Sequence, residues 1–196
     1  MTMYCTLDEV KTNLGDMATE DYNDRIVADI EAVSVEIDNY CNRQFGSTTE
    51  ARYFDGCGGG DDDPFMVGDL ISVSALELDL DGDGTFETEM ASTDYMLFPY
   101  NGSPKWRVML SEQSSYSSFA RGVRKGVKVT GTWGYSSVPA PIKKASIEES
   151  CRAFRRSQAG FGTVIGTPEI GTETIYQGLS SDTRRKLDAY VRRSFG

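Results

Sequence analysis

VKVTGTWGYSSVPAPIKKA, residues 127–145, changes character halfway along, and that change decides the fold. Its first seven residues, VKVTGTW, are β-prone. Pro139 and Pro141 then fit the entry of a helix whose apolar side carries Ile142, Ala145, Ile147, Cys151 and Phe154 and which Gly160 ends. A strand therefore feeds a helix at 141–158, and the β structure lies inside a helical chain.

Upstream, residues 50–133 break into short β-prone pieces: ARYFD, LISVSALELDL, TFETEM, DYMLF and KWRVML. Clusters of Gly, Asp, Asn and Pro separate them, as turns separate antiparallel strands. Further upstream the period is helical. Ile26, Ile30, Val33, Ile37 and Tyr40 recur at alternating spacings of four and three, which predicts a helix over 20–43 with one apolar face. That stripe fits core packing against other helices; a seam against a neighbouring subunit is the other reading. TLDEVKTNLG predicts a first helix over 5–15, with Thr6 and Glu9 as a capping box and Gly15 as its stop.

Downstream, residues 160–180 are rich in Gly and Thr with little periodicity, and SSDTRRKLDAYVRRSFG predicts a terminal helix with Leu187, Tyr190 and Val191 on one side. The expected class is α+β: a small antiparallel helical bundle with an inserted antiparallel sheet at about 50–133. A domain of residues 1–159 is followed by an extended arm and C-terminal helix, 160–196.

The chain has 196 residues, enough for a core without disulfide or metal staples. Cys5, Cys41, Cys57 and Cys151 form no CxxC pair, and the chain has no histidine, so they read as buried thiols in a reducing compartment. No apolar run approaches the ~20 residues that cross a bilayer, and MTMYCTLDEV lacks the basic and apolar parts of a signal peptide. An intracellular, soluble product is expected.

Charge is divided sharply along the chain. Residues 1–100 hold 4 Lys and Arg against 23 Asp and Glu, and residues 101–196 hold 16 against 7, for a total of -10. Such a protein is a poor non-specific binder of duplex DNA, because phosphate contacts need cations. The cations gather late in the chain, at Arg152, Arg155 and Arg156 and at Arg184, Arg185, Lys186, Arg192 and Arg193. They read either as a solvated helix surface or as a docking face for an acidic partner.

One motif looks like a metal site. In DLDGDGTFET, residues 79–88, Asp79, Asp81, Asp83 and Gly84 match positions one, three, five and six of an EF-hand loop, but position twelve is Met90, not glutamate. The flanks are β-prone rather than helical, so a hairpin turn with glycines at positive φ is the better reading. Three clustered carboxylates leave adventitious calcium binding open, and a calcium-binding α+β module is the alternative function. GCGGGDDDP, residues 56–64, lacks the Lys-Ser/Thr of a phosphate loop and reads as a flexible, solvated loop; GFGTVIG, residues 160–166, does not match a dinucleotide fingerprint. Lys143 and Lys144 near Ser146 and Ser150 could in principle support Ser/Lys chemistry, but helix starts commonly carry such residues.

Several stretches resemble the head–tail connector proteins (adaptor, or head-completion) of long-tailed double-stranded DNA phages. They are YCTLDEVKTNLG, IVADIEAVSVEIDNYCNRQF leading into ARYFDG, VKVTGTWGYSSVPAPIKKA, and IGTETIYQGLSSDTRRKLDAYVRR. The resemblance implies a non-enzymatic virion component at the head–tail interface, assembled in the bacterial host cytoplasm. It implies a dodecameric ring beneath the portal that extends the DNA channel and carries a stopper or tail-completion protein. Ile170, Ile175, Tyr176, Arg184, Arg185, Lys186, Tyr190, Arg192 and Arg193 are then the candidate contacts with the portal or a neighbouring subunit. No cofactor is implied. Carboxylates of the N-terminal half are expected to line the channel, where they would repel phosphate and let DNA slide.

Overall fold

A computed structural model describes residues 2–15, 19–158, 164–165, 173–174 and 178–192. The chain forms two compact units: residues 1–46 with 137–196, and residues 47–136. The first is helical and the second is a sheet, so the protein is α+β, as expected.

In the helical unit, α1 spans Leu7–Leu14. Thr6 accepts the amide of Glu9, and the Glu9 carboxylate accepts the amide of Thr6, so two of the otherwise orphaned amides at the helix start are satisfied. Gly15, at φ 61, turns the chain out of the helix. A short 3-10 turn, Glu20–Tyr22, leads into α2, Asn23–Cys41, which Asn42 ends in the left-handed region. Ile26, Ile30, Val33 and Ile37 are buried, so the stripe is core rather than subunit seam. A fully buried side chain of this size contributes about 1.5–3 kcal/mol.

α3, Ala140–Gln158, buries Ile142, Ala145, Cys151 and Phe154 from the expected face, while Ile147 is only half-buried. Phe154 meets the ring of Tyr22 edge-on at 5.4 Å, within a cluster that includes Cys5, Val10, Leu14, Ile26 and Ile30. After α3, β7 (Val164–Ile165) pairs antiparallel with β8 (Glu173–Thr174), and α4 covers Ser181–Leu187 before a 3-10 turn over Asp188–Tyr190. Leu187 is fully buried, and Phe45 stacks edge-on with both Tyr4 and Tyr190. Among the described residues, no helix is long and apolar enough to cross a membrane.

The sheet unit has six antiparallel strands in the order β1-β6-β2-β5-β4, with β3 beside the end of β2. They are β1 Ser47–Phe54, β2 Phe65–Leu78, β3 Thr88–Glu89, β4 Tyr95–Phe98, β5 Lys105–Leu110 and β6 Val127–Gly134. Strand β6 shows the period of two: Val127, Val129, Gly131 and Trp133 are buried and alternate with partly exposed residues. Trp133 donates its indole N–H to the Glu50 carbonyl at 3.0 Å, and the Arg52 guanidinium lies 4.4 Å from its ring centre.

Strand β2 starts earlier than LISVSALELDL suggests and shifts register against both neighbours. One shift brings Ser72 so close to β6 that a Cβ on Gly131 would sit 2.2 Å from the Ser72 carbonyl oxygen. Only glycine fits there. TFETEM yields just the two residues of β3, because its register partners are only Glu77 and Leu78.

Candidate functional site

The first candidate surface is α4 and the chain after it. Ser180 caps α4 and accepts the Thr183 amide at 3.2 Å. Behind the cap lies Glu149 of α3, only 4 % exposed. Its Oε1 accepts the Ser180 amide at 3.2 Å and hydroxyl at 2.7 Å, as well as the Thr183 hydroxyl. Arg152 approaches both its oxygens, at 3.1 and 3.2 Å. Glu36 of α2 adds a further contact, accepting the Leu179 amide at 3.1 Å. Two acids from two helices therefore hold the start of α4, where amides lack intrahelical partners and the helix dipole favours negative charge.

The cations expected to dock a partner are divided by this arrangement. Lys186 donates to Glu148 at 2.8 Å and to Asp182 at 2.6 Å, and these bonds raise its pKa while lowering that of Asp182. Arg184 and Arg185 are exposed, and Arg185 reaches Asp182 at 2.7 Å. Tyr190 packs on Phe45, and the Arg192 amide donates to the Cys41 carbonyl at 2.8 Å. Tyr40 donates to Asp188 at 2.6 Å, a bond that holds the phenol above its ordinary range. Ile170, Ile175, Tyr176 and Arg193 lie outside the described residues. The outward cations of α4 are thus Arg184 and Arg185, while Lys186, Tyr190 and the backbone at Arg192 tie the segment to its own unit.

Sequence reasoning missed Glu149 and Glu36. In the sequence Glu149 is one of two adjacent glutamates in an ordinary charged helix, and nothing within reach of it along the chain marks it as buried. A cleft of about 210 Å³ lies beside this clamp, lined by Asp29 and Glu36 of α2, Glu149, Arg152 and Arg156 of α3, and Gly178. Burial pushes the Asp29 carboxyl up, against the opposing pull of Arg25 and Arg156, and its Oδ2 has no hydrogen-bond partner among the described residues.

The second candidate is the loop from Asp79 to Glu87. It closes a hairpin, since Leu78 pairs with Thr88 across it. Asp79 is 3 % exposed and accepts the amides of Gly82 at 2.7 Å and Gly84 at 2.9 Å, with both glycines at positive φ. Asp81 accepts the Asp83 amide at 3.3 Å, and Asp83 accepts the Thr85 amide at 2.8 Å and its hydroxyl at 2.5 Å. The Thr85 bonds hold the Asp83 pKa down. Asp79, Asp81 and Asp83 each offer a carboxylate oxygen within 4.8 Å of the others. Met90, at the twelfth position, is buried in the sheet core with its amide on the Leu76 carbonyl at 2.8 Å. It is a core side chain, so the loop is built as a hairpin connection and not as an EF-hand.

The remaining motifs have local explanations. In the glycine-rich loop after β1, Gly60–Asp62 and Pro64 are exposed, and only Gly59 is buried. Asp63 accepts the Gly58 amide at 2.6 Å, and Cys57 exchanges two 2.9 Å backbone bonds with Phe119. Lys143 pairs with Glu9, and Ser146 lies 3.3 Å from the Cys5 sulfur, so each already has another partner.

No protein-family model matches the chain. No curated protein matches it either. Its fold is similar to chains in two solved structures, each covering 97% of this chain and 91% of the other at 14% sequence identity. The first is described as the neck of an empty GTA particle computed with C6 symmetry, with a TM-score of 0.52. The second is the virion of a native gene transfer agent (GTA) particle, with a TM-score of 0.58.

Proposed function

We propose that this chain is a non-enzymatic structural protein of the neck of a phage-like particle. It is an adaptor whose ring joins the portal of the head to a stopper or tail-completion protein and extends the DNA channel. The observation that carries this reading is the extent of the likeness to the chain in the GTA neck, which takes in 97% of this chain, helical and sheet units alike. That neck was computed with C6 symmetry, which rings of six and of twelve subunits both satisfy; a dodecamer is our reading of this chain's ring.

Charge supports the same role. The excess of carboxylates in residues 1–100 suits a channel wall that DNA must pass without sticking. The exposed Arg184 and Arg185 suit contact with an acidic portal surface.

Electron microscopy of the purified chain, alone and with portal rings, tests the proposal. A closed ring seated on the portal is the expected image, and bare portals beside unassembled chain would sink it. Portal attachment is probed at single residues rather than by truncation, because α4 contributes the buried Leu187 and Thr183. Arg184→Glu with Arg185→Glu is expected to weaken attachment while leaving the thermal melt unchanged; undiminished attachment would remove α4 from the portal contact. The calcium alternative, resting on the Asp79, Asp81 and Asp83 cluster, predicts tight calorimetric binding and a large rise in melting temperature on adding calcium.

A further inference from the structure

Two loops of opposite charge meet at one end of the sheet unit. The Asp79 amide donates to the Gly126 carbonyl at 2.9 Å, and a Cβ on Gly82 would lie 3.6 Å from the Val123 side chain. On one side Asp81, Asp83 and Glu87 are exposed; on the other Arg121, Arg124 and Lys125 are exposed.

These charges do not neutralise one another within the chain. The carboxylates of Asp81 and Asp83 are held by amides of their own loop, and Glu87 lies against the Thr85 hydroxyl rather than a cation. On the basic loop, Arg121 reaches Asp63 at 3.4 Å, while Arg124 and Lys125 reach no carboxylate among the described residues. The basic loop is also shaped: Asp55 accepts the Lys125 amide at 2.8 Å, and Ala120, Gly122 and Lys125 all have positive φ. Both loops therefore present fixed backbones with unspent charge of opposite sign.

We propose that this end of the sheet is a contact for a second copy of the same chain, the acidic 79–87 loop of one meeting the basic 120–126 loop of the next. A phosphate backbone is disfavoured as occupant, because the neighbouring carboxylates would repel it. The partner must present both signs side by side, and this same surface does so. Exposed ion pairs are individually weak and screened by salt, so the contact sets the orientation of neighbouring copies and rejects wrong ones more than it supplies affinity. Because the two loops are adjacent, the patch is self-complementary and pairs two copies about a two-fold axis, a contact separate from the head-to-tail contacts of the ring proposed above.

The test mixes unlabelled and ¹⁵N-labelled full-length chain in equal amounts at low salt, with a chelator present, and couples adjacent Lys and carboxylate groups with a carbodiimide. Peptide mass spectrometry is expected to find mixed-isotope links from Lys125 to Asp81, Asp83 or Glu87, falling about tenfold at 0.5 M salt. Two reversed variants are then compared, Arg124→Glu with Lys125→Glu, and Asp81→Lys with Asp83→Lys; Asp79 is kept so that the hairpin survives. Each alone is expected to lose the inter-copy links, and their mixture to regain them. Links confined to single-isotope peptides, or reversed variants that link as the original does, overturn the contact. Links that persist unchanged in the reversed variants overturn the contact and leave the ring reading standing, whereas salt-sensitive inter-copy links in chain that forms no ring on the portal support the contact and remove the ring.

Discussion

Glu149 in the helical unit and Asp79 in the sheet unit are both buried carboxylates, 4 % and 3 % exposed; Asp79 accepts two amides, and Glu149 accepts one amide, two hydroxyls and the Arg152 guanidinium. They differ in reach. Asp79 organises its own next five residues, while Glu149 holds a helix start 31 and 34 positions away. The local acid shapes a turn that its glycines already favour. The distant acid positions a whole element, so removing it strands several partners at once.

Substitution should separate the two. Glu149→Ala leaves Ser180, Thr183 and Arg152 without their shared acceptor and is expected to cost about 3 kcal/mol in denaturant unfolding. A loss below about 1 kcal/mol would mean that water replaces the carboxylate and the clamp matters little. Asp79→Ala should cost less, about 1–2 kcal/mol, because Gly82 and Gly84 are exposed and their amides can turn to solvent. If its cost equals that of Glu149, reach along the chain is not what distinguishes the two acids.

Thr183→Ala, which removes one donor to Glu149 and leaves the rest, is expected to cost about 1 kcal/mol by the same measurement. Asp29 sharpens the comparison from the other direction, since burial raises its pKa and no donor among the described residues meets its Oδ2. A carboxyl whose folded pKa lies above its unfolded value stabilises the fold at low pH, and that contribution is lost as pH rises through the folded pKa. Asp29→Asn should therefore be more stable than the parent at pH 7, with the gap closing toward pH 4; a variant less stable at pH 7 would reveal a partner for Asp29. Arg185→Ala, at an exposed pair with Asp182, should shift stability by less than about 0.5 kcal/mol.

Much of the fold was legible in the residues. The Thr6 and Glu9 box, the Ile26 to Ile37 stripe, the strand at Lys105–Leu110 and the hairpin at Asp79 each follow from spacings of a few residues. What failed locally failed for tertiary reasons. TFETEM has the composition of a strand, yet it finds register partners for only two residues, Thr88 and Glu89. Ile147 sits at an apolar helical spacing but stays half-buried, while Ser146, Glu149 and Ser150 on the same helix are buried. Composition placed the solvated loop at 56–64 but could not show that Phe119 would pin Cys57 from 62 positions away. The cations of the terminal segment were legible as a group; their division into the outward Arg184 and Arg185 and the tethered Lys186 was not.

The sequence by itself determined the order of helices and strands, the insertion of the β region between helices, the caps of α1 and the glycine turn after Asp79. Periodicity, capping and turn chemistry act over a few residues, so they are written where they operate. Only the tertiary structure decided that Glu149 and Glu36 hold α4, that Met90 is core rather than ligand, and that the acidic and basic loops meet at one end of the sheet. Each of these depends on which distant groups exclude water from one another, and no short stretch of chain carries that information.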